Sequence, residues 1–293
     1  MHDHEDHDLG LVHDLPRLLG RRRLLTLFGV AGVATLVGCS GDDDTSSGST
    51  SGTTGTTGAS GTSGTSGTTA TTAATAATAA TTSCTEIPEE TAGPFPGDGS
   101  NGPNVLAESG VVRTDIRSSF GSSSTTAEGV PMSITLRLLD LTNGCTPLAG
   151  AAVYVWHCDR EGRYSLYSGG VEGENYLRGV QESDGDGAVT FQSVFPACYQ
   201  GRWPHIHFEV YESLDAATGG GPPVATSQVA IPADACTAVY GTDGYEDSVA
   251  ALAQVSLQRD NVFGDDGGAS QLGAVTGDAT AGYHVELTVP VEA

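Results

Sequence analysis

His205 and His207 stand two residues apart in the alternating run HIHFEVY, residues 205–211. On an extended strand, side chains at i and i+2 share a face, so both imidazoles can reach one point. Two imidazoles at this spacing make half of a metal site. The same pair also occurs on plain solvated sheet faces, so the neighbours decide between the two. Ile206 and Phe208 fill the opposite face, and no Asp or Glu joins the histidines before Glu209. Tyr199 and Arg202 lie just upstream. A phenol has a pKa of about 10 and binds a metal only if a strongly Lewis-acidic cation displaces its proton. A cluster poor in carboxylate and thiolate but rich in tyrosine therefore points to Fe(III) rather than zinc or magnesium. The first tyrosine of such a set has three candidates by position: Tyr164, Tyr167 and Tyr176.

Three segments around these residues carry a family resemblance: PLAGAAVYVWHCDREGRYSLY (147–167), LRGVQESDGDGAVTFQSVFPACY (177–199) and GRWPHIHF (201–208). The chain resembles the intradiol ring-cleavage dioxygenases, the group of the catechol and protocatechuate dioxygenases, and especially their secreted, single-domain branch. The resemblance implies an iron held by two tyrosines and two histidines. Carried over by position, these are Tyr164, Tyr199, His205 and His207, with Tyr164 favoured over Tyr167 and Tyr176. Tyr164 and His205 would stay bound throughout, and Tyr199 would leave when a catechol binds through both oxygens. The family's active-site arginine falls on Arg202, three residues before the first histidine. Three departures bear on the substrate. The usual Pro-Gly-x-Tyr turn is Pro196-Ala197-Cys198-Tyr199, Trp203-Pro204 replace a smaller pair, and five residues separate Tyr199 from His205. The implied reaction splits a small aromatic diol between its hydroxyl-bearing carbons with O2, giving a muconate-type diacid.

The elements that would position these residues read as strands. SITLRLL (133–139), 151–157, 188–194, 205–211, 226–231 and about 282–291 are short apolar or alternating runs, separated by Gly, Pro and Asp turns. That pattern predicts an all-β fold, an antiparallel β-sandwich with long active-site loops and at most one short helix, over 247–258. The excursion 159–178, with Gly162, Gly169 and Gly170 around Tyr164, has the length of a functional loop. The segment EETAGPFP (89–96) is a turn-rich entrance that resembles the family's pocket border. His157 reads as a hydrogen-bonded core histidine, and Arg117 as one half of a structural ion pair.

Composition divides the chain of 293 residues into three parts. Residues 1–39 form an export signal: Arg21, Arg22 and Arg23 precede an apolar run, Leu24 to Gly38, too short for a membrane span. The run ends in a lipobox-like Leu36-Val37-Gly38-Cys39, so Cys39 is expected to become the lipidated N-terminus and the only membrane attachment. The adjacent arginines resemble a twin-arginine signal, with ordinary Sec export as the alternative. Residues 40–83 are almost wholly Gly, Ser, Thr and Ala, a linker with no core-forming side chains. Residues 84–293 are the dioxygenase-like domain, long enough for one core. The expected product is an exported, cell-surface lipoprotein, extracellular if released.

There is no lysine, and the formal net charge is −24. Of 12 arginines and 36 acids, four and five precede Cys39, leaving eight against 31. So negative a chain is unsuited to a nucleic-acid partner, whose backbone repels it. Five cysteines follow Cys39, and outside the cytoplasm these are expected to form disulfides, with at least one left over. Two other functions fit parts of the pattern. A transthyretin-like spacer or binding module would use Tyr164 and Tyr199 as core plugs and needs no histidine pair. A surface protein that binds ferric iron without turnover would need the ligands but no open position.

Overall fold

A computed structural model describes residues 84–293. The export segment, Cys39 and the 40–83 linker lie outside these residues. The domain is a sandwich of two sheets. Strands β1 (Pro131–Asp140), β2 (Thr146–Pro147), β3 (Ala152–Trp156), β4 (Arg178–Glu182), β5 (Ala188–Val194) and β6 (His205–Tyr211) come first. Helix α1 (Leu214–Thr218), β7 (Ala225–Ala230), α2 (Ala233–Tyr240), α3 (Glu246–Leu252), β8 (Ala274–Asp278) and β9 (Gly282–Val291) complete it. One sheet runs β4-β3-β6-β7 and is antiparallel throughout. The other runs β2-β1-β9-β8, with β5 also paired to β1.

The expected strands at 188–194, 205–211 and 282–291 form at those bounds. Two expectations need correcting. The sandwich is not purely antiparallel, because β1 and β9, far apart in sequence, run parallel from Met132↔Tyr283 to Asp140↔Val291. Nor is there a single helix over 247–258. Among the described residues α1 and α2 are additional, and α3 stops at Leu252, where the backbone tightens into turns from Gln254 N–H to Ala251 O and from Val255 N–H to Leu252 O. The apolar spacing misled, because Val249 faces solvent while Ser248 is the buried residue of α3.

Alternation on β3 and β6 builds two cores from one sheet. Val153, Val155, Ile206, Phe208 and Val210 point between the sheets and meet Ile134, Leu136, Phe191, Val285 and Val289. Each such large apolar side chain contributes about 1.5–3 kcal/mol by leaving water. Ala152, Tyr154 and Trp156 point the other way, into a second cluster with Val105, Val111, Tyr164 and Val180. The outer face of this sheet is thus roofed by loops, and every residue of β3, β6 and β7 is buried. That roof turns the histidine face of β6 into an interior.

Of the five cysteines in this domain, Cys84 and Cys145 form a disulfide, and Cys158, Cys198 and Cys236 are buried free thiols. The expectation of mainly disulfides is therefore corrected: these three thiol groups face the carbonyls of Ala197, Arg202 and Ile231 instead. Arg117 pairs with Asp115. His157 lies between the Cys158 carbonyl and the Ser193 hydroxyl, a core histidine whose burial lowers its pKa to about 4.

Candidate metal centre

The site forms where the 159–177 excursion and the turn after β5 meet the outer face of β6. Asp159 organises the excursion. Its carboxylate accepts the backbone N–H groups of Glu161 and Arg163, the Arg163 guanidinium and the Tyr176 hydroxyl. Tyr164 then donates its N–H to Ser168 Oγ at 2.9 Å, and its ring lies 1% exposed against Phe95, centroids 4.9 Å apart. The Pro196–Tyr199 turn is held by the helices beneath it. Tyr240 and Tyr245 donate their hydroxyls to the carbonyls of Pro196 and Phe195, and Ser248 Oγ accepts the Cys198 N–H at 3.0 Å. Hydrogen bonds, not a disulfide at Cys198, stiffen the turn that carries Tyr199.

Four polar atoms meet here. Tyr164 Oη lies 3.4 Å from Tyr199 Oη and 3.3 Å from His205 Nε2. Tyr199 Oη is 3.2 Å from His205 Nε2, which is 3.1 Å from His207 Nε2. The two rival tyrosines are elsewhere. Tyr167 donates to Asn101 Oδ1 and accepts the Gly97 N–H, and Tyr176 donates to Asp159. A spacer module would leave Tyr164 and Tyr199 as apolar plugs, yet both hydroxyls turn towards the imidazoles.

The tautomer of His205 follows from its partner. His205 Nδ1 faces the Trp203 carbonyl at 2.5 Å; a carbonyl can only accept, so Nδ1 carries the proton and Nε2 presents a lone pair to the cluster. His207 stacks on Trp156, centroids 4.9 Å apart and 7° from parallel, because the two are cross-strand partners on β6 and β3. Its Nδ1 is buried without a hydrogen-bond partner among the described residues. Gly93, at φ 72°, passes so close that a Cβ there would lie 3.3 Å from His207 Cε1. Burial, then the charge of Arg202, lowers the His205 pKa to about 3; burial, then His205, holds His207 well below its usual value. Both imidazoles are therefore neutral, the state that ligates metals. Burial pushes the Tyr199 phenol up to about 12, against the pull of Arg202, and raises Tyr164 well above its usual value, with Tyr199 adding to it.

These residues fit a small, highly charged cation. The separations of 3.1–3.4 Å among Tyr164 Oη, Tyr199 Oη and His205 Nε2, and between the two histidine Nε2 atoms, suit a centre about 2 Å from each, the length of a metal–nitrogen or metal–oxygen bond. Among the described residues no group of three or more His, Cys, Asp or Glu side chains could hold a metal ion, so a centre here depends on the phenols. Buried phenols with raised pKa values ionise only beside strong positive charge, so any ion held here must be a strong Lewis acid.

Arg202 borders the cluster, with Nη1 3.5 Å from His205 Nε2. Its other nitrogens are engaged. Nε donates to Asp260 Oδ2 at 3.1 Å, and Nη2 to Gln228 Oε1 at 2.7 Å. Gln228 sits across from His207 on β7 and donates Nε2 to the Thr91 carbonyl, tying the entrance segment to the site. Sequence reasoning missed Asp260, Gln228, and the roles of Trp156 and Gly93. His207's register partners on β3 and β7 could have flagged Trp156 and Gln228 once the strands were paired. Nothing local marks Asp260, 58 residues from Arg202.

Comparisons with known proteins place the fold. Residues 101–216 match a family model described as Dioxygenase. Chlorocatechol 1,2-dioxygenase of Rhodococcus opacus is 36% identical over 55 residues, 19% of this chain and 21% of that enzyme. Hydroxyquinol 1,2-dioxygenase of Rhizobium sp. (strain MTP-10005) is 38% identical over 72 residues, 25% of this chain and 24% of that enzyme. The chain thus aligns with only about a fifth to a quarter of these enzymes' length. An intradiol ring-cleavage dioxygenase from Tetranychus urticae superposes with a TM-score of 0.57 at 22% identity, covering 71% of this chain and 95% of that one, a shared fold.

Proposed function

We propose that this chain, which belongs to the intradiol ring-cleavage dioxygenase family, is a non-haem Fe(III) dioxygenase. Its reaction splits a catechol-type ring between the two hydroxyl-bearing carbons with O2, to a muconate-type diacid. The observation that carries this reading is the convergence of Tyr164, Tyr199, His205 and His207 on one point, beside the guanidinium of Arg202. Tyr164, Tyr199, His205 and His207 would hold the ion, which supplies a Lewis acid for an ortho-diol and a template for its reaction with O2.

The chain's own residues do the rest. Tyr164 is almost wholly enclosed, whereas Tyr199 is only partly buried, so Tyr199, which would be a phenolate while it holds the ion, is the one free to move aside and take a diol proton at Oη. Trp156 and the Trp203 carbonyl hold the two imidazoles in orientation. Arg202 Nη1 places positive charge where negative charge develops on the ring. Gly93 and Phe95 close over His207 and Tyr164 and exclude water from that side. The basic and apolar leader and the lipobox-like segment ending at Cys39 support an exported, lipid-anchored enzyme that meets its diol and O2 outside the cytoplasm.

Purified protein is expected to be wine-coloured from tyrosinate-to-iron charge transfer and to take up O2 with catechol. Tyr164→Phe and His205→Ala should each abolish that uptake. Colourless protein that keeps stoichiometric zinc and takes up no iron, or unchanged uptake in either variant, would end the reading. An oxygen-electrode screen of simple, carboxylated and methoxylated catechols identifies the substrate.

A further inference from the structure

Arg202 poses an electrostatic problem. A guanidinium with 14% side-chain exposure stands 3.5 Å from a histidine that the reading above assigns to a ferric ion. Two positive charges in a water-poor site repel strongly. The side chain opposite Arg202 is Asp260, whose carboxylate is 0% exposed. It is also fully engaged. Oδ2 accepts Arg202 Nε at 3.1 Å and the Trp203 N–H at 2.7 Å. Oδ1 accepts Arg202 Nη2 at 3.4 Å and the backbone N–H groups of Val262 and Phe263 at 2.9 and 3.2 Å. Three main-chain amides therefore fix the carboxylate before it meets the arginine.

The geometry points to Asp260 as the positioning residue of the centre: it holds Arg202 edge-on through Nε and Nη2, so that only Nη1 faces the ligands, and it cancels the charge that would otherwise expel the metal. Arg and Asp grip here in the side-on, two-point manner that fixes a guanidinium plane. Gln228 closes the remaining freedom, since Nη2 also donates to its Oε1. Asp260 makes no hydrogen bond to the four ligand side chains, and it acts on them first through Arg202. The Trp203 N–H gives it a second lever, because the Trp203 carbonyl sets the tautomer of His205.

This inference rests on the ferric reading, but its test does not need turnover. Fe(III) is titrated into metal-stripped protein against a competing chelator, and occupancy is read from the tyrosinate absorption and by metal analysis. Asp260→Asn leaves Arg202 uncompensated and is expected to weaken Fe(III) retention about 10- to 100-fold, the usual effect of removing a partner of the ligand shell. Asp260→Glu should recover part of the loss. Asp260→Asn combined with Arg202→Gln, which removes both charges, should bind iron within about threefold of wild type, while O2 uptake with catechol stays lost because Arg202 is gone. A role confined to folding would predict that the double variant is no better than the single one. Two results overturn the inference: Asp260→Asn retaining iron like the wild type, or a double variant that binds no tighter than Asp260→Asn. If the iron titrations follow the expected pattern but wild-type protein consumes no O2 with any catechol, the enzymatic reading fails and the role of Asp260 stands. Wild-type protein that binds no Fe(III) ends both.

Discussion

Arg178 is the sharpest test of how the site is roofed. Its side chain is 0% exposed, and among the described residues no carboxylate forms an ion pair with it. Instead it makes five hydrogen bonds to neutral acceptors: Ser165 Oγ and O, Pro96 O, Phe95 O and Tyr154 Oη, at 2.8–3.1 Å. Its fork joins three separate pieces, namely the entrance segment, the excursion that carries Tyr164, and β3. Leu166 and Leu177, flanking Ser165 and Arg178, both adopt positive φ, 74° and 56°. Such backbone costs about 1–2 kcal/mol for a residue with a Cβ and persists only where its surroundings hold it. Arg178→Met keeps the stem and removes every donor. The Pro96 carbonyl still accepts the Tyr154 hydroxyl, so two carbonyls, of Phe95 and Ser165, lose the arginine. At about 1–3 kcal/mol for each buried acceptor left without its donor, the loss is about 2–6 kcal/mol. Relief from burying an uncompensated charge offsets part of it. A net loss of about 2–4 kcal/mol should lower Tm by roughly 5–15 °C in a domain of this size. Calorimetry reads the stability, and steady-state O2 uptake reads the site, where loosening of Phe95 against Tyr164 should raise KM for catechol. Arg178→Lys should not rescue either, since one ammonium cannot reach acceptors on three sides. A Tm within about 2 °C of wild type, with KM unchanged, would refute the argument that this cation clamps the roof.

Three further outcomes are expected. Gly93→Ala places a methyl 3.3 Å from His207 Cε1 at a backbone φ of 72°, so it should shift the visible spectrum and lower kcat/KM about tenfold or more; an unaltered spectrum would show that His207 is not held by this contact. In a Cys39→Ser protein, a thiol reagent at pH 8 should find no reactive group until the chain is denatured, when Cys158, Cys198 and Cys236 titrate. Burial raises all three thiols, Cys198 to about 12, which keeps them protonated. Replacing Cys84 and Cys145 by serine opens a loop with a sequence separation of 61 and should cost up to about 4 kcal/mol in a denaturant titration. Native-state labelling of any of the three thiols, or no loss on removing the disulfide, would contradict these assignments.

The residue types and their spacing already determined much of this protein. HIHFEVY fixes both imidazoles on one face because strand geometry has a period of two, whatever else the chain does. The tyrosine-rich, carboxylate-poor neighbourhood carries the ligand chemistry on which the proposed ferric centre rests. Strands with clean alternation, such as 188–194 and 205–211, were legible to the residue. RGVQE of β4 was not, because Gly179 breaks the pattern: Ile116 approaches to within 2.6 Å of where a Cβ would sit, a contact made between distant segments. The parallel pairing of β1 with β9 was equally hidden, since register between strands some 150 residues apart is set by the whole core. Likewise, which tyrosine reaches the histidines depended on how the Asp159 excursion folds back, and it separates Tyr164 from Tyr167 and Tyr176 only in three dimensions. Asp260 completes the contrast. Local sequence carries side-chain chemistry and periodicity, but a partner 58 residues away is chosen by chain folding, so the charge balance of the centre existed only once the tertiary structure brought Asp260 to Arg202.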